Sequence, residues 1–169
     1  MRRLLFVLSI LVGLSTYAQE KWTIGLGMGY GESFDYRGGI NTYLTGSYRL
    51  SQSFLLNSRL SYTHVTWGLF DWKQQTFLAE PEIGWLVVKK PFRFYPSLGA
   101  AIGSEYYDPP DFRVILRFLW GLNTGLNLDI PVGPFSVGGR VAGNVLISGD
   151  SGNPFISYSG VIKYRFGSK

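Results

Sequence analysis

The chain has 169 residues, a length that suits one domain, and its formal net charge is +5 at pH 7. Charged residues make up only 16% of it and aromatic residues 17%, which argues against an ordinary water-soluble surface, where roughly 25% of residues are charged. The absence of cysteine excludes disulfide bonds, thiolate zinc sites and a cysteine nucleophile. Basic residues occur singly or in pairs such as Lys89-Lys90, so no nucleic-acid-binding surface is expected.

The first 18 residues have the order of a secretory signal peptide. Arg2 and Arg3 precede an apolar run over residues 4–14, and small residues follow at Thr16 and Ala18. We therefore predict cleavage after Ala18, which makes residues 19–169 the mature domain. The alternative, a retained helical anchor, is disfavoured because the apolar run is shorter than the roughly 20 residues that span a bilayer.

The rest of the chain alternates apolar with polar residues, a pattern that predicts β-strands. In residues 21–31, Trp22, Leu26 and Tyr30 share one face and glycines occupy most of the other. This length suits a membrane strand of about 9 to 11 residues better than a soluble strand of about 5 or 6. Seven further segments repeat the alternation: residues 40–50, 56–63, 77–87, 92–102, 116–127, 135–147 and 157–166. Eight strands are an even number, as bacterial single-chain barrels have.

The two faces of these predicted strands differ in bulk. The polar faces consist mainly of Gly, Ser, Asn and Thr with single charged residues, whereas the apolar faces carry the large aromatic side chains. The lumen of an eight-stranded barrel could not hold that many aromatics, but a lipid bilayer could surround them. We therefore predict that the apolar faces point outward. The alternative is a soluble, lipocalin-like barrel with the aromatics inside and Arg59, Glu82 and Arg140 in solvent.

The predicted connections alternate between short and long. Short turns are expected at residues 50–53, 89–91 and 129–134, and longer loops at residues 32–39, 68–73, 104–112 and 149–154. In outer-membrane barrels short turns face the periplasm and long loops face outside. The sequence therefore predicts an outer-membrane location with both termini in the periplasm. Aromatic residues gather near both ends of the strands, as expected for girdles at the two membrane interfaces.

The eighth segment carries an alternating aromatic ending at Tyr158, Gly160, Ile162, Tyr164 and Phe166. With this ending and its eight segments, the mature chain resembles the small outer-membrane barrels, OmpA/OmpX-like in the broad sense. The resemblance implies an all-β fold, an eight-stranded antiparallel up-and-down transmembrane β-barrel, with outer-membrane lipid around it. It also implies that the barrel-assembly machinery recognises the last strand. The chain departs from the family pattern in that residues 167–169 follow the final aromatic.

Two prolines interrupt the predicted fourth and fifth strands. Pro81 and Pro96 lack the N–H group that a strand donates to its neighbour, and a closed barrel has no free edge to accommodate them. We predict a bulge or a local break in this hairpin.

The candidate site is a polar network inside the lumen, formed by Arg59, Glu80, Glu82, Arg93, Arg117 and Arg140. Counting across the connection after the third strand places Arg59 roughly opposite Glu82. Buried charges are costly unless they are paired, so we expect ion pairs that fill and stiffen the lumen. The leading interpretation is a non-catalytic barrel with a structural or surface-interaction role. The alternative is a narrow, porin-like channel for small solutes.

A third hypothesis is a lipid A-modifying enzyme centred on His64, the only histidine. A hydrolase needs a nucleophile and an acidic partner beside the base, and the sequence identifies neither. We therefore expect no catalytic residue, no cofactor and no metal. The loops hold seven of the 11 acidic residues, which would suit an unidentified surface ligand, although solvated loop tips explain the same pattern.

Overall fold

The computed structural model describes residues 22–33, 38–67, 72–108, 115–148 and 151–166, and the predicted signal peptide lies outside these ranges. Within them the chain forms the strands β1 (Trp22–Ser33), β2 (Gly38–Arg49), β3 (Phe54–Trp67), β4 (Trp72–Trp85), β5 (Arg93–Asp108), β6 (Ile115–Val132), β7 (Phe135–Ser148) and β8 (Ser151–Arg165). Each strand pairs antiparallel with the next, and β8 pairs with β1, so the sheet closes into a barrel. The predicted all-β, eight-stranded up-and-down fold is confirmed.

Side chains alternate between the outer face and the lumen along the strands, as the period of two requires. On β6, Leu122 is 65% exposed and Leu126 is 53% exposed, whereas Asn123 and Asn127 are buried in the lumen. The predicted outward apolar face is therefore confirmed. The soluble, lipocalin-like alternative is wrong, because it required the opposite parity.

The barrel has two ends with distinct contents. We call the end that carries Trp22 and Arg165 the terminal rim, and the opposite end the loop rim. At the terminal rim the outward rings of Trp22 and Tyr48 lie with centroids 4.6 Å apart. Nearer the loop rim the corresponding distance between Tyr62 and Phe77 is 4.7 Å. Aromatic pairs thus lie toward both ends of the apolar face, where rings with a polar edge suit a half-wet interface.

The predicted difference in length between the two sets of connections is wrong. Residues 50–53, 86–92 and 133–134 join strands at the terminal rim, and residues 34–37, 68–71, 109–114 and 149–150 join them at the loop rim. The strands run further than their apolar residues indicate. β6 continues through Asp129 to Val132, and β7 and β8 pair as far as Ser148 and Ser151. Connection length therefore carries no argument about which rim faces the periplasm.

The predicted interruption at Pro81 is present as a break in the ladder between β4 and β5. Ala79 pairs with Ile102 and Glu82 pairs with Gly99, with no pairs between these two. Two residues lie between these pairs on β4 and two lie between them on β5. The register therefore does not shift, and there is no bulge. Pro96 lies beyond the last β4–β5 pair, where its missing N–H breaks no bond of that ladder.

Backbones approach closely beside this break. A Cβ atom added to Gly99 would lie 2.8 Å from the Cα atom of Glu82 and 2.9 Å from the carbonyl carbon of Pro81. Gly143 on β7 faces outward instead, and the nearest atom to its added Cβ would be Thr124 Cγ2 at 3.7 Å. The two glycines therefore differ in the space available to a side chain.

We predict that Gly99→Val destabilises the barrel by about 1–3 kcal/mol, because the new side chain forces β4 and β5 apart. The matched substitution Gly143→Val should change the free energy of unfolding by less than about 0.5 kcal/mol. Urea titration followed by the gel mobility of unheated samples measures both. Equal effects of the two substitutions would contradict the close approach at Gly99.

Candidate functional site: a closed polar lumen

Glu80 lies at the centre of the lumen with none of its surface exposed. Arg59 donates to it twice, from Nε to Oε2 at 2.7 Å and from Nη2 to Oε1 at 2.5 Å. Ser61 Oγ donates at 2.9 Å, Asn123 Nδ2 at 2.7 Å and Asn144 Nδ2 at 3.1 Å. These donors come from β3, β6 and β7, so one carboxylate joins opposite walls of the barrel.

A second carboxylate, Glu82, forms a two-point ion pair with Arg140 of β7. Arg140 Nη1 donates to Oε2 at 3.0 Å and Nη2 donates to Oε1 at 2.5 Å. The same guanidinium donates to Asn127 Oδ1 at 2.8 Å, to Asn123 Oδ1 at 3.0 Å and to Ser97 Oγ at 3.3 Å. Bidentate pairing of this kind holds both side chains in one orientation.

The predicted partner of Arg59 was wrong by two residues. Arg59 pairs across the strands with Glu80, and its Nη2 atom lies 3.9 Å from Glu82 Oε1. The difference arises because Trp67 pairs with Trp72, so the connection is shorter than the one used for counting. A shift of two residues preserves the side-chain parity, which is why both glutamates still face the lumen.

Two members of the predicted network lie away from it. Arg93 is the first residue of β5 and is half-buried at the terminal rim. Arg117 is the third residue of β6 and is exposed near the loop rim, opposite Glu105. Both have lumenal parity, but their positions near strand ends keep them from the central carboxylates. The structure brings together Arg59, Glu80, Glu82 and Arg140.

The sequence analysis missed a second charged cluster nearer the terminal rim. Lys163 Nζ of β8 lies 2.9 and 2.8 Å from the two carboxylate oxygens of Asp129 on β6, and it donates to Tyr95 Oη at 2.8 Å. Tyr95 Oη donates to Asp129 Oδ2 at 3.3 Å. The sequence analysis assigned Asp129 to the short turn at residues 129–134. Its two-residue spacing from Asn127 was the signal that places it on the lumenal face.

The buried charges balance. Among the described residues six charged side chains are buried: Arg59, Arg140, Lys163, Glu80, Glu82 and Asp129. Each positive group lies within 2.8 Å of a negative one. Burying an ion costs several kcal/mol unless a partner and hydrogen bonds compensate it, and here every ion has both. The network therefore fills the lumen without a net charge.

Glycines on the lumenal faces make room for these side chains. A Cβ atom added to Gly125 would lie 2.7 Å from Arg140 Cζ, Nη1 and Nη2. A Cβ atom at Gly27 would lie 2.5 Å from Cε1 of the Tyr43 ring. These lumenal side chains therefore lie directly over glycines of the neighbouring strand.

An apolar layer closes the lumen on the loop-rim side of Glu80. It consists of Leu78, Ala101, Leu119 and Leu146, all of which are buried and in mutual contact. The sequence analysis missed this layer, because it assigned bulky apolar residues only to the outer face. Leu78 lies two residues before Glu80, and this spacing was the signal that both side chains face the lumen. The layer separates the charged network from the loop rim.

Two small cavities lie among the described lumenal residues. One cavity beside Arg59 and Tyr43 has a volume of about 20 Å³, and another beside Arg93 and Ser47 has a volume of about 30 Å³. A cavity needs roughly 10–15 Å³ to hold one water molecule. These two cavities are therefore large enough for isolated water molecules and too small for a solute.

His64 lies on the outward face of β3, across from Ile40 on β2 and Gln75 on β4. Its ring stacks beside Tyr62, with centroids 6.4 Å apart. Neither cross-strand partner supplies the nucleophile or carboxylate that a hydrolase would need.

In the described ranges no group of three or more His, Asp and Glu side chains could hold a metal ion. Those ranges also contain no helix with the length and hydropathy to cross a membrane.

Known proteins resemble this chain in fold but not closely in sequence. No protein-family model matches it, and no curated protein matches it. Ail, the attachment invasion locus protein of Yersinia pestis, is 15% identical, with a TM-score of 0.58 over 86% of this chain and 97% of Ail. Neisserial surface protein A is 12% identical, with a TM-score of 0.62 over 86% and 96%.

The N-terminal β-barrel domain of Pseudomonas aeruginosa OprF is 15% identical, with a TM-score of 0.50 over 84% of this chain and 97% of that domain. All three are eight-stranded outer-membrane barrels. At these identities the likeness shows the fold alone. The chain therefore has the fold of the small outer-membrane barrels, as the sequence resemblance implies.

We predict that Glu82→Gln lowers the free energy of unfolding by about 3–5 kcal/mol, because Arg140 is left as a buried charge without its counter-ion. Glu105, a half-buried residue of β5 that accepts a hydrogen bond from Gln74, provides the matched control. Glu105→Gln should cost less than about 1 kcal/mol. Urea unfolding of both variants in the same lipid tests this prediction. Similar decreases in the free energy of unfolding would show that the buried pair of Glu82 and Arg140 stabilises the barrel no more than Glu105 does.

Proposed function

We propose that this protein is a non-catalytic barrel of the outer membrane whose sealed lumen makes it a rigid support for interactions at the cell surface. The observation that carries the proposal is the inversion of polarity, with the charged side chains inside and the apolar side chains outside. The shared fold with three outer-membrane barrels supports the same location.

The apolar face continues around the whole barrel. Each strand contributes at least one exposed large apolar side chain, including Met28, Ile40, Leu60, Ile83, Leu98, Leu122, Val141 and Ile162. Soluble monomers seldom expose contiguous apolar patches above a few hundred Å². Closure of the sheet also leaves no unpaired strand edge, which a lipid environment requires. A surrounding bilayer is therefore the environment that this surface suits.

Features of both chain ends support export and insertion. The predicted signal peptide would take the chain across the inner membrane, and the barrel-assembly machinery would then recognise β8. Tyr158, Ile162 and Tyr164 face outward on that strand, as a recognition motif exposed before insertion would. Phe166 departs from this pattern, because it is buried just after the strand and packs edge-on against Tyr164 with centroids 5.1 Å apart.

The lumen supports a structural role more than a channel. The apolar layer around Leu119, the ion pair of Arg59 with Glu80 and the cluster around Lys163 close it at three successive levels. A conducting pore needs a continuous polar path. The second candidate, a narrow channel, would require these ion pairs to open together.

A surface-interaction role is supported by the neighbours. Ail is an attachment invasion locus protein, and one of its structures holds the heparin analogue sucrose octasulfate; another neighbour is a surface protein. We propose that this barrel also contacts a ligand through its loop rim. Glu32 and Arg117 are exposed there and would border such a contact.

We predict that the expressed protein is recovered in the outer-membrane fraction and changes gel mobility when heated in detergent. Leu122→Arg should destabilise it in lipid by about 2–4 kcal/mol, and Val132→Arg, at the terminal rim, by at most about 1 kcal/mol. Leu122 and Val132 are both exposed, so a water-soluble barrel would tolerate both substitutions equally. Recovery as a soluble protein, with both variants neutral, would overturn the proposed location.

In a planar bilayer we expect no stepwise conductance, because the apolar layer and the ion pairs fill the lumen among the described residues. A porin purified in the same detergent provides the positive control. Conductance steps whose ion selectivity changes in Glu82→Gln but not in Glu105→Gln would favour the channel instead.

A further inference from the structure

A basic crevice opens at the terminal rim. It is lined by Lys89 and Lys90 of the β4–β5 connection, Arg93 at the start of β5 and Arg165 at the end of β8, and Pro131 closes one side. Its volume is about 550 Å³. These cations come from segments distant in sequence, so the closed barrel assembles the crevice.

The positive charge of the crevice exceeds the negative charge that the protein places beside it. Asp129 lies across the strands from Arg93 and attracts it, but the Asp129 carboxylate is ion-paired with Lys163. In the described part of the chain, the other ion-paired carboxylates bind cations outside the crevice. Lys89 Nζ donates to Ser53 Oγ at 3.4 Å, and Arg165 Nη2 donates to the carbonyl oxygen of Gly133. Arg49 and Arg165 repel Arg93 electrostatically. Gathering like charges in one crevice costs free energy that a bound anion would recover.

Arg165 has one donor that points to an anionic ligand more specifically. Its Nε–H group is buried and has no hydrogen-bond partner within the described residues. A buried donor without an acceptor is destabilising. An anionic oxygen bound in the crevice could accept this hydrogen bond, and guanidinium groups bind phosphate oxygens well.

The crevice lies at the level of an aromatic girdle. Outward-facing Trp85, Phe92, Phe135 and Tyr164 are each at least 38% exposed around the same rim. Such girdles mark the depth of lipid headgroups, so the basic side chains lie where phosphates are found.

We propose that the basic crevice is a binding site for the phosphate headgroup of an anionic glycerophospholipid, of the phosphatidylglycerol or cardiolipin type. The proposal rests on the membrane location proposed above. A zwitterionic headgroup such as phosphatidylethanolamine binds less well, because its ammonium group is repelled by the four cations. The bound lipid anchors the terminal rim at the membrane surface.

The test is native mass spectrometry of the detergent-purified barrel titrated with phosphatidylglycerol or phosphatidylethanolamine. The expected result is retention of phosphatidylglycerol in preference to phosphatidylethanolamine. Lys89→Gln combined with Lys90→Gln should weaken phosphatidylglycerol binding about thirtyfold, since each cation near a lipid surface contributes about 1 kcal/mol. Both lysines are exposed in a connection, so the double variant should fold. Arg165→Gln should also weaken binding, and Lys73→Gln at the loop rim is the matched control.

Equal binding of the two lipids, or an equal loss in Lys73→Gln, would overturn the site. Displacement of the lipid by millimolar inorganic phosphate would also overturn it, because the crevice would then bind free anions. Heat-dependent gel mobility and insertion into vesicles are measured on the same preparations. A chain that fails to insert contradicts the proposed membrane location, whereas insertion without a preference for phosphatidylglycerol contradicts this site alone.

Discussion

The constraint on which the barrel depends is the pairing of charges in the lumen. Glu80 has no exposed surface, and it accepts hydrogen bonds from Arg59 on the neighbouring strand and, across the lumen, from Asn123 and Asn144. An ion held in this way tolerates neither an absent partner nor a large displacement, since either leaves an uncompensated buried charge. The network therefore specifies the arrangement of the walls as well as filling the space between them.

An interior built from ions and amides leaves the apolar side chains on the outside. Leu26 and Leu116 are 69% and 72% exposed. In water such a surface would promote association, whereas in lipid it replaces the hydrophobic core that a soluble barrel would have inside. The polar lumen and the apolar outer face are thus two consequences of the same alternation.

In the proposed membrane location, lipid would cover the wall of the barrel, and its two rims would be the surfaces open to other molecules. The rims differ in chemistry. The described part of the loop rim mixes charges of both signs, including Glu32, Lys73 and Arg117, whereas the terminal rim gathers Lys89, Lys90, Arg93 and Arg165 around one crevice. This asymmetry distinguishes the two ends, although the lengths of their connections do not.

The sequence by itself determined the strands, their number and the face that each residue occupies, because alternation is local and Leu122 and Asn123 differ in polarity wherever their strand lies. It also located the break at Pro81, since a missing N–H group is a property of one residue. Only the tertiary structure decided which charges meet. Arg59 pairs with Glu80, and Lys163 meets Asp129, because the strand bounds and the stagger around the barrel set these partners. A shift of two residues changes the cross-strand partner of every residue but leaves each side chain on the same face. The alternation in the sequence therefore does not specify the register.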